Sequence, residues 1–284
     1  MRVLITGARG QLGTDLVRHC TAAGDDVLAV DRAGLDIESR SAVLSAVTAL
    51  APDVVLNCAS WTAVDACEGD PQRAHSANGL AVRWLAEACA RTDAHLVQIS
   101  TDYVFDGTLH GAYSEWDATN PRSVYGRSKL VGEREAAVLG TGAAVVRTSW
   151  VSGEHGNNML KTIMRLAGER TQLQFVDDQV GQPTFTADLA VVLRRIALDR
   201  LSGVVHATNQ GAVSWYEFAV EVVTAMGKDP AMVQPIATAE LQPQRPAPRP
   251  ANSVLDNAVL RAAGYAPLRD FREPLREVVQ ALLS

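Results

Sequence analysis

Val124-Tyr125-Gly126-Arg127-Ser128-Lys129 sets a tyrosine and a lysine four positions apart, a spacing that puts both side chains on one face of a helix. The chain has only three lysines, Lys129, Lys161 and Lys228, so one placed in this way is informative. The pair suits carbonyl reduction, which needs a proton for the forming alkoxide. A free tyrosine, with a pKa of about 10, is a reluctant base in the reverse direction. A neighbouring ammonium favours the phenolate and lowers that pKa, and the same lysine can hold the ribose hydroxyls of a nicotinamide nucleotide. A surface cation beside a tyrosine is the plain alternative. Ser100-Thr101-Asp102 ends a strand-like run, where a hydroxyl could share the substrate oxygen with Tyr125. Thr101 is the candidate, with Ser100 next.

Gly7-Ala8-Arg9-Gly10-Gln11-Leu12-Gly13 follows the first apolar run and opens a helix-like segment. In that context glycine allows a tight turn and a close backbone approach to a pyrophosphate, whose charge a helix N-terminus favours. Gly7, Gly10, Gln11, Leu12 and Gly13 are therefore candidate cofactor contacts, against the alternative of a purely structural turn. The Gly-x-x-Gly-x-x-Gly spacing resembles that of extended short-chain reductases. Asp31 ends the second strand, where a carboxylate can accept from the adenosine ribose hydroxyls and favours NADH. Arg32 beside it can hold the extra phosphate of NADPH, so either cofactor remains open. Asp36-Ile37 could bond to and pack on the adenine, with a helix N-cap as the competing role for Asp36.

The elements that must position these residues alternate. Val3-Leu4-Ile5, Val27 to Val30, Val54-Val55-Leu56, Leu96 to Ile99 and Ala144-Val145-Val146 read as short apolar strands. Between them the helical segments run from about Gln11 to Ala23, Ser41 to Leu50, Pro71 to Arg91 and onward from Ser123. This beat predicts an α/β fold with a doubly wound parallel sheet, Rossmann-like, covered on both faces. After residue 150 the rhythm loosens into helices over Asn157–Gly168, Thr186–Asp199 and Ser214–Met226, a strand at Val204-Val205-His206, and two terminal helices. The expected division is a dinucleotide-binding domain over 1–150, to which part of 186–210 returns, and a smaller C-terminal α/β substrate lobe over 151–284. Gln242 to Pro250 carries four prolines, which exclude helix and leave an extended segment that either binds or merely connects.

Length and composition fit that picture. The 284 residues are 47% apolar with a net charge of −6, and the basic residues are scattered, so no positive stripe favours nucleic acid. The four cysteines, Cys20, Cys58, Cys67 and Cys89, form no Cys-x-x-Cys or metal spacing, as expected of reduced thiols in the cytoplasm. No apolar run reaches the length of a membrane span, and the first one, broken at Gly7, is too short for a signal peptide. A soluble cytoplasmic protein is expected.

Taken together, Gly10-Gln11-Leu12-Gly13, Ser100 to Gly107, Tyr125 to Glu133 and Arg147-Thr148-Ser149-Trp150-Val151 resemble the dTDP-4-dehydrorhamnose reductases. Asn57 to Asp65, Gly156-Asn157-Asn158, Asp178 to Thr184 and Arg249 to Asp256 extend the resemblance into the C-terminal lobe. It implies reduction of a dTDP-6-deoxy-4-hexulose by NADPH or NADH, with Thr101, Tyr125 and Lys129 as the catalytic triad. It also lays Asn57, Cys58, Ala59 and Ser60 along the cofactor and brings Asp102, Tyr103 and Trp150 towards the sugar; core packing is the alternative for the two aromatics. Arg249, in a loop able to face the cleft, is a candidate for the substrate pyrophosphate. Some members of that family form a metal-bridged dimer. Asp15 could serve as one ligand but has no evident companions, so no metal is expected, and a homodimer is left open. Reductases of other dTDP-4-keto sugars, of the dihydrostreptose synthase type, share these motifs. NAD-retaining epimerases and dehydratases share the Tyr-x-x-x-Lys pair, and a regulatory subunit that has lost catalysis shares the fold.

Overall fold

The computed structural model describes residues 1–284. Its first half runs β1 (Arg2–Thr6), α1 (Gln11–Ala22), β2 (Asp26–Val30), α2 (Arg40–Leu50) and β3 (Val54–Asn57). Three helices follow, α3 (Val64–Gly69), α4 (Pro71–His75) and α5 (Ala81–Thr92), then β4 (His95–Thr101), α6 (Val124–Ala137) and β5 (Ala143–Thr148). The expected helix from Pro71 to Arg91 is interrupted by a π-helical turn at Ser76–Leu80. That turn buries Asn78, whose side chain bonds Ser60 Oγ, both the amide and the carbonyl of Trp61, and Ser128 Oγ. The irregularity thus fixes the loop after β3 against α6, in keeping with π-turns at functional sites.

Past β5 the elements shorten to β6 (Val151–Ser152), α7 (Met159–Glu169), β7 (Leu173–Val176), β8 (Val180–Gly181) and β9 (Thr184–Phe185). Next come α8 (Thr186–Asp199), β10 (Gly203–His206), β11 (Val213–Ser214), α9 (Trp215–Ala225), β12 (Val233–Ile236), α10 (Ala258–Ala262) and α11 (Arg272–Leu283). Asp36 does not cap α2. Ser39 does, accepting from the Ala42 amide, while Asp36 accepts from the Glu38 amide just ahead of it.

One six-stranded sheet, ordered β2-β1-β3-β4-β5-β10 with every neighbour parallel, forms the centre. The apolar strands are hidden because helices cover both faces. One core joins Val3, Ile5 and Val146 to Leu16 of α1 and to Leu189, Leu193 and Ile196 of α8. The other joins Leu4, Val55 and Leu96 to α2 and α5 through Val43, Val47 and Leu85. A third core, among α7, α9 and α11, centres on Phe185, Phe218 and Phe271. Each fully buried Leu, Ile or Phe contributes roughly 1.5–3 kcal/mol, so α8 is held firmly to the sheet. Strand order reverses between β1 and β3, and in such sheets the crevice beyond the carboxyl ends at the reversal takes ligands. No helix is long and apolar enough to cross a membrane.

Candidate active site

β1 ends in the turn that begins at Gly7, which has φ +64 and where a Cβ would lie 2.7 Å from Ala59 N. Only glycine fits there. Gly10, at the N-cap of α1, offers no side-chain bond. The amides of Gln11, Leu12 and Gly13 find no acceptor within the protein, so three donors at a positive helix end stay open to an anion. This is the observation that fits a dinucleotide pyrophosphate.

Two cavities meet over this turn, sharing Gly10, Cys58 and Ser60. The smaller, about 290 Å³, is lined by Gly7, Asp31, Arg32, Asp36, Ile37 and Ala59, along with Arg9, Trp61 and Arg73. Asp31 is less free than expected. Its Oδ1 accepts from the Ala33 and Gly34 amides and its Oδ2 pairs with Arg9 at 2.9 Å. The Gly34 amide above all, with Arg9 adding to it, holds the carboxyl below its ordinary range. Arg32 pairs with Glu38 at 3.2 Å on the surface, and Arg73 lies over the Trp61 ring. This end of the cleft therefore presents three guanidinium groups and three carboxylates, Asp31, Asp36 and Glu38, each already accepting hydrogen bonds. Arg9 and Arg73 escaped sequence reasoning, although Arg9 stands inside the glycine turn itself.

The larger cavity, about 670 Å³, is lined by Thr101, Asp102, Tyr103, Tyr125, Lys129 and Trp150, and also by Gln11, Leu12, Asn57 and Trp215. Ser123 caps α6 by accepting from Gly126. Gly126 is required because a Cβ there would lie 2.2 Å from Tyr103 O, so Tyr125 enters the cavity against Tyr103, with ring centroids 5.7 Å apart. Burial, with the nearby Asp102 carboxyl, pushes the Tyr125 phenol well above its usual range. Lys129, one turn along, sends Nζ to Ile99 O at 2.7 Å, and burial lowers its pKa to about 8 against the opposing pull of Glu133. The expected lowering of the phenol by Lys129 is therefore not observed: the ammonium ends at a backbone carbonyl, and desolvation dominates the tyrosine.

At the end of β4, Thr101 Oγ1 donates to Asp102 Oδ1 at 2.8 Å and accepts from the Tyr103 amide at 3.2 Å. Ser100 points elsewhere, donating to Glu133 Oε1 at 2.5 Å. Glu133 in turn holds Arg147 through two bonds of 3.0 and 2.8 Å in a fully buried pair. This network locks β4, α6 and β5 together beneath the cavity, and spacing gave no sign of it. Asn57 lines the cavity, yet its amide is taken by Thr6 and Gln98, so it knits strands. Cys58 is neutral, since burial drives its thiol up to about 12.

Trp150 adopts φ +43, a strained backbone for a bulky residue. One face of its indole stacks on Trp215 at 3.5 Å, and Gly181 presses close enough that a Cβ there would lie 2.5 Å from the ring. Arg249 does not reach the cavity: its guanidinium is bound to Asp65 and to Ala247 O. Asp15 is occupied by Thr186 Oγ1 at 2.5 Å and Arg18 at 3.0 Å.

A phenol, a hydroxyl and an ammonium line one cavity with the open helix terminus, an arrangement that could give a proton to a carbonyl oxygen and hold a dinucleotide. Comparisons with known proteins give the family. The family model described as RmlD substrate binding domain matches residues 1–284. A dTDP-4-dehydrorhamnose reductase of Streptomyces griseus is 44% identical, covering 99% of this chain and 94% of its own. A protein of Streptomyces antibioticus named probable dTDP-4,6-dihydroxy-2-methyloxan-3-one 4-ketoreductase is 43% identical over 100% of this chain and 96% of its own. The crystal structure of a Bacillus anthracis dTDP-4-dehydrorhamnose reductase in complex with NADP is 35% identical, has a TM-score of 0.94 and covers 99% of each chain. With a match along its whole length and relatives above two-fifths identity, the chain belongs to the dTDP-4-dehydrorhamnose reductase family.

Proposed function

We propose that this protein reduces the C4 keto group of a dTDP-6-deoxy-4-hexulose, converting dTDP-4-dehydro-L-rhamnose to dTDP-L-rhamnose with NADPH or NADH in the cytoplasm. One observation carries the reading: Thr101, Tyr125 and Lys129 line one cavity that adjoins the open amides of Gln11, Leu12 and Gly13. The reduced nicotinamide, when bound, supplies the hydride. The protein's own residues do the rest. Burial holds the Tyr125 phenol protonated through neutral pH, so a proton is ready for the C4 oxygen. The Thr101 hydroxyl is the second partner for that oxygen. Lys129, fixed by Ile99 O, has two further N–H donors for the cofactor ribose. Asp102, Tyr103 and the edge of Trp150 bound the sugar. Gly7, Gly10, Asp31, Asp36, Ile37, Asn57, Cys58, Ala59 and Ser60 border the cofactor, and Arg9 and Arg32 suit the additional phosphate of NADPH.

Residues 1–150 together with the segment around α8 and β10 form the cofactor part in this reading, and the remainder forms the substrate lobe. A homodimer is the assembly to test by light scattering. A second reading, reduction of a different 4-keto sugar, is favoured by the name of the Streptomyces antibioticus relative.

The deciding experiment follows loss of the reduced-nicotinamide absorbance with dTDP-4-keto-6-deoxyglucose, with and without a 3,5-epimerase. Oxidation that requires the epimerase and yields dTDP-L-rhamnose is expected. Oxidation without it supports the second reading. No oxidation in either tube, with NAD retained through purification, would overturn both in favour of an epimerase or dehydratase.

A further inference from the structure

The Thr101 hydroxyl has one proton and two lone pairs, and the structure accounts for their use. The proton goes to Asp102 Oδ1 at 2.8 Å, and one lone pair takes the Tyr103 amide at 3.2 Å. The second lone pair is left over, and the Thr101 hydroxyl lines the same cavity as the Tyr125 phenol. In this arrangement Thr101 has no proton left for a ketone oxygen. Asp102 explains why. It is 2% exposed, lines the substrate cavity, and its Oδ2 has no hydrogen-bond partner. A buried ionised carboxylate with an unpaired oxygen is an expensive arrangement.

We propose that Asp102 is a positioning residue whose proton decides which way the Thr101 hydroxyl points. With Asp102 ionised, the Thr101 proton is drawn away from the substrate. With Asp102 protonated, the carboxyl O–H donates to Thr101 Oγ1, the Tyr103 amide fills the other lone pair, and the Thr101 proton turns to the C4 oxygen beside that of Tyr125. Two donors then converge on the atom where negative charge develops. The inference rests on the reductase reading and deepens it.

The groups facing Asp102 agree with this role. Tyr103 and Tyr125 are both kept neutral by burial. Ser253, from the segment after the proline-rich stretch, faces the carboxyl and works against burial, although its own hydrogen bond goes to Val180 O at 3.4 Å. Burial prevails and raises Asp102 to about 6, so its proton is gained and lost within the range an enzyme experiences.

The test is the pH dependence of kcat/KM for the keto sugar in the wild type and in Asp102→Asn. The asparagine amide can donate to Thr101 Oγ1 and cannot ionise. The wild type should lose about tenfold or more as pH rises through about 6, and the profile of Asp102→Asn, whatever its own rate, should lack that limb over the same window. Infrared difference spectra of the substrate-free protein should show a protonated-carboxyl band that fades with the same midpoint and is missing from Asp102→Asn. The same limb in both proteins would overturn the inference, as would a flat wild type with an Asp102→Asn variant reduced at every pH. A wild type that turns over no keto sugar would sink the reductase reading itself, whereas turnover with a pH profile shared by both proteins sinks only the role of Asp102.

Discussion

Burial keeps the Tyr125 phenol protonated far above neutral pH, and a reductase that delivers a proton in the same turnover as a hydride needs the group in that state. Tyr125→Phe removes the proton and little else, because the ring keeps its edge contact with Tyr103. Its kcat should fall about 10²- to 10⁴-fold, while the affinity for NADPH, read by quenching of intrinsic fluorescence, stays within about threefold. An unchanged kcat would remove Tyr125 from the chemistry. Lys129 gives a limb nearer neutral pH. Its folded pKa lies near 8, below the ordinary lysine value, because burial disfavours the ammonium, so charge is lost as pH rises through that value. NADPH affinity should weaken above about pH 8, and the same titration on Lys129→Met should show no such step. The Tyr-x-x-x-Lys pair was legible because it lies within one helix. The preference for Thr101 over Ser100 depends on Glu133, 33 residues beyond Ser100, which no local spacing reveals.

At the scale of elements, the glycine turn and α1 act as one unit whose tolerance is set by contact with backbone. A Cβ at Gly13 would stand 2.2 Å from Gly7 O and 2.8 Å from Ala8 Cα, so no side-chain rotation can relieve it. Gly13→Ala must push the start of α1 off the turn, turning the amides of Gln11 and Leu12 away from their anion. The expected costs are roughly 1–3 kcal/mol in urea unfolding and at least a tenfold weaker affinity for NADPH. Normal affinity would show that α1 does not hold the pyrophosphate. This unit could be read from sequence because strand, glycines and helix are consecutive. The π-turn could not, since it exists to seat Asn78 against Ser128, 50 residues away, and neither the 3.6-residue nor the 2-residue period registers such a partner. The same reasoning covers Trp215: a helix start is legible at Ser214, whose capping box is local, but its stacking on Trp150 is not.

The whole molecule places its cavity along the seam where the parallel sheet meets the later elements, and a few polar ties cross that seam. Gln11 bonds Asn157 O and Asn158, Asp15 bonds Thr186, and Asp65 of α3 grips Arg249 and the Ala247 amide. The last tie is unequal. The Arg249 side chain is 9% exposed and that of Asp65 is 42% exposed, so the cation depends on its partner more than the carboxylate does. Removing Asp65 strands a largely buried guanidinium, and such uncompensated charges cost about 3–5 kcal/mol. Removing Arg249 leaves a carboxylate that water can reach, and its cost should be about 1–2 kcal/mol, mainly lost packing of the arginine stem. Urea unfolding of Asp65→Ala, Arg249→Ala and the double variant should therefore rank Asp65→Ala as the least stable, with a coupling energy of about 0.5–3 kcal/mol. Arg249 also bears on Tyr103 at the cavity wall, so Arg249→Ala should raise KM for the sugar nucleotide while leaving kcat within about threefold. A variant with normal KM and no measurable coupling to Asp65 would mean that the proline-rich segment is a passive connector. The predicted ranking would instead make it the strap that holds the substrate side of the cleft in place.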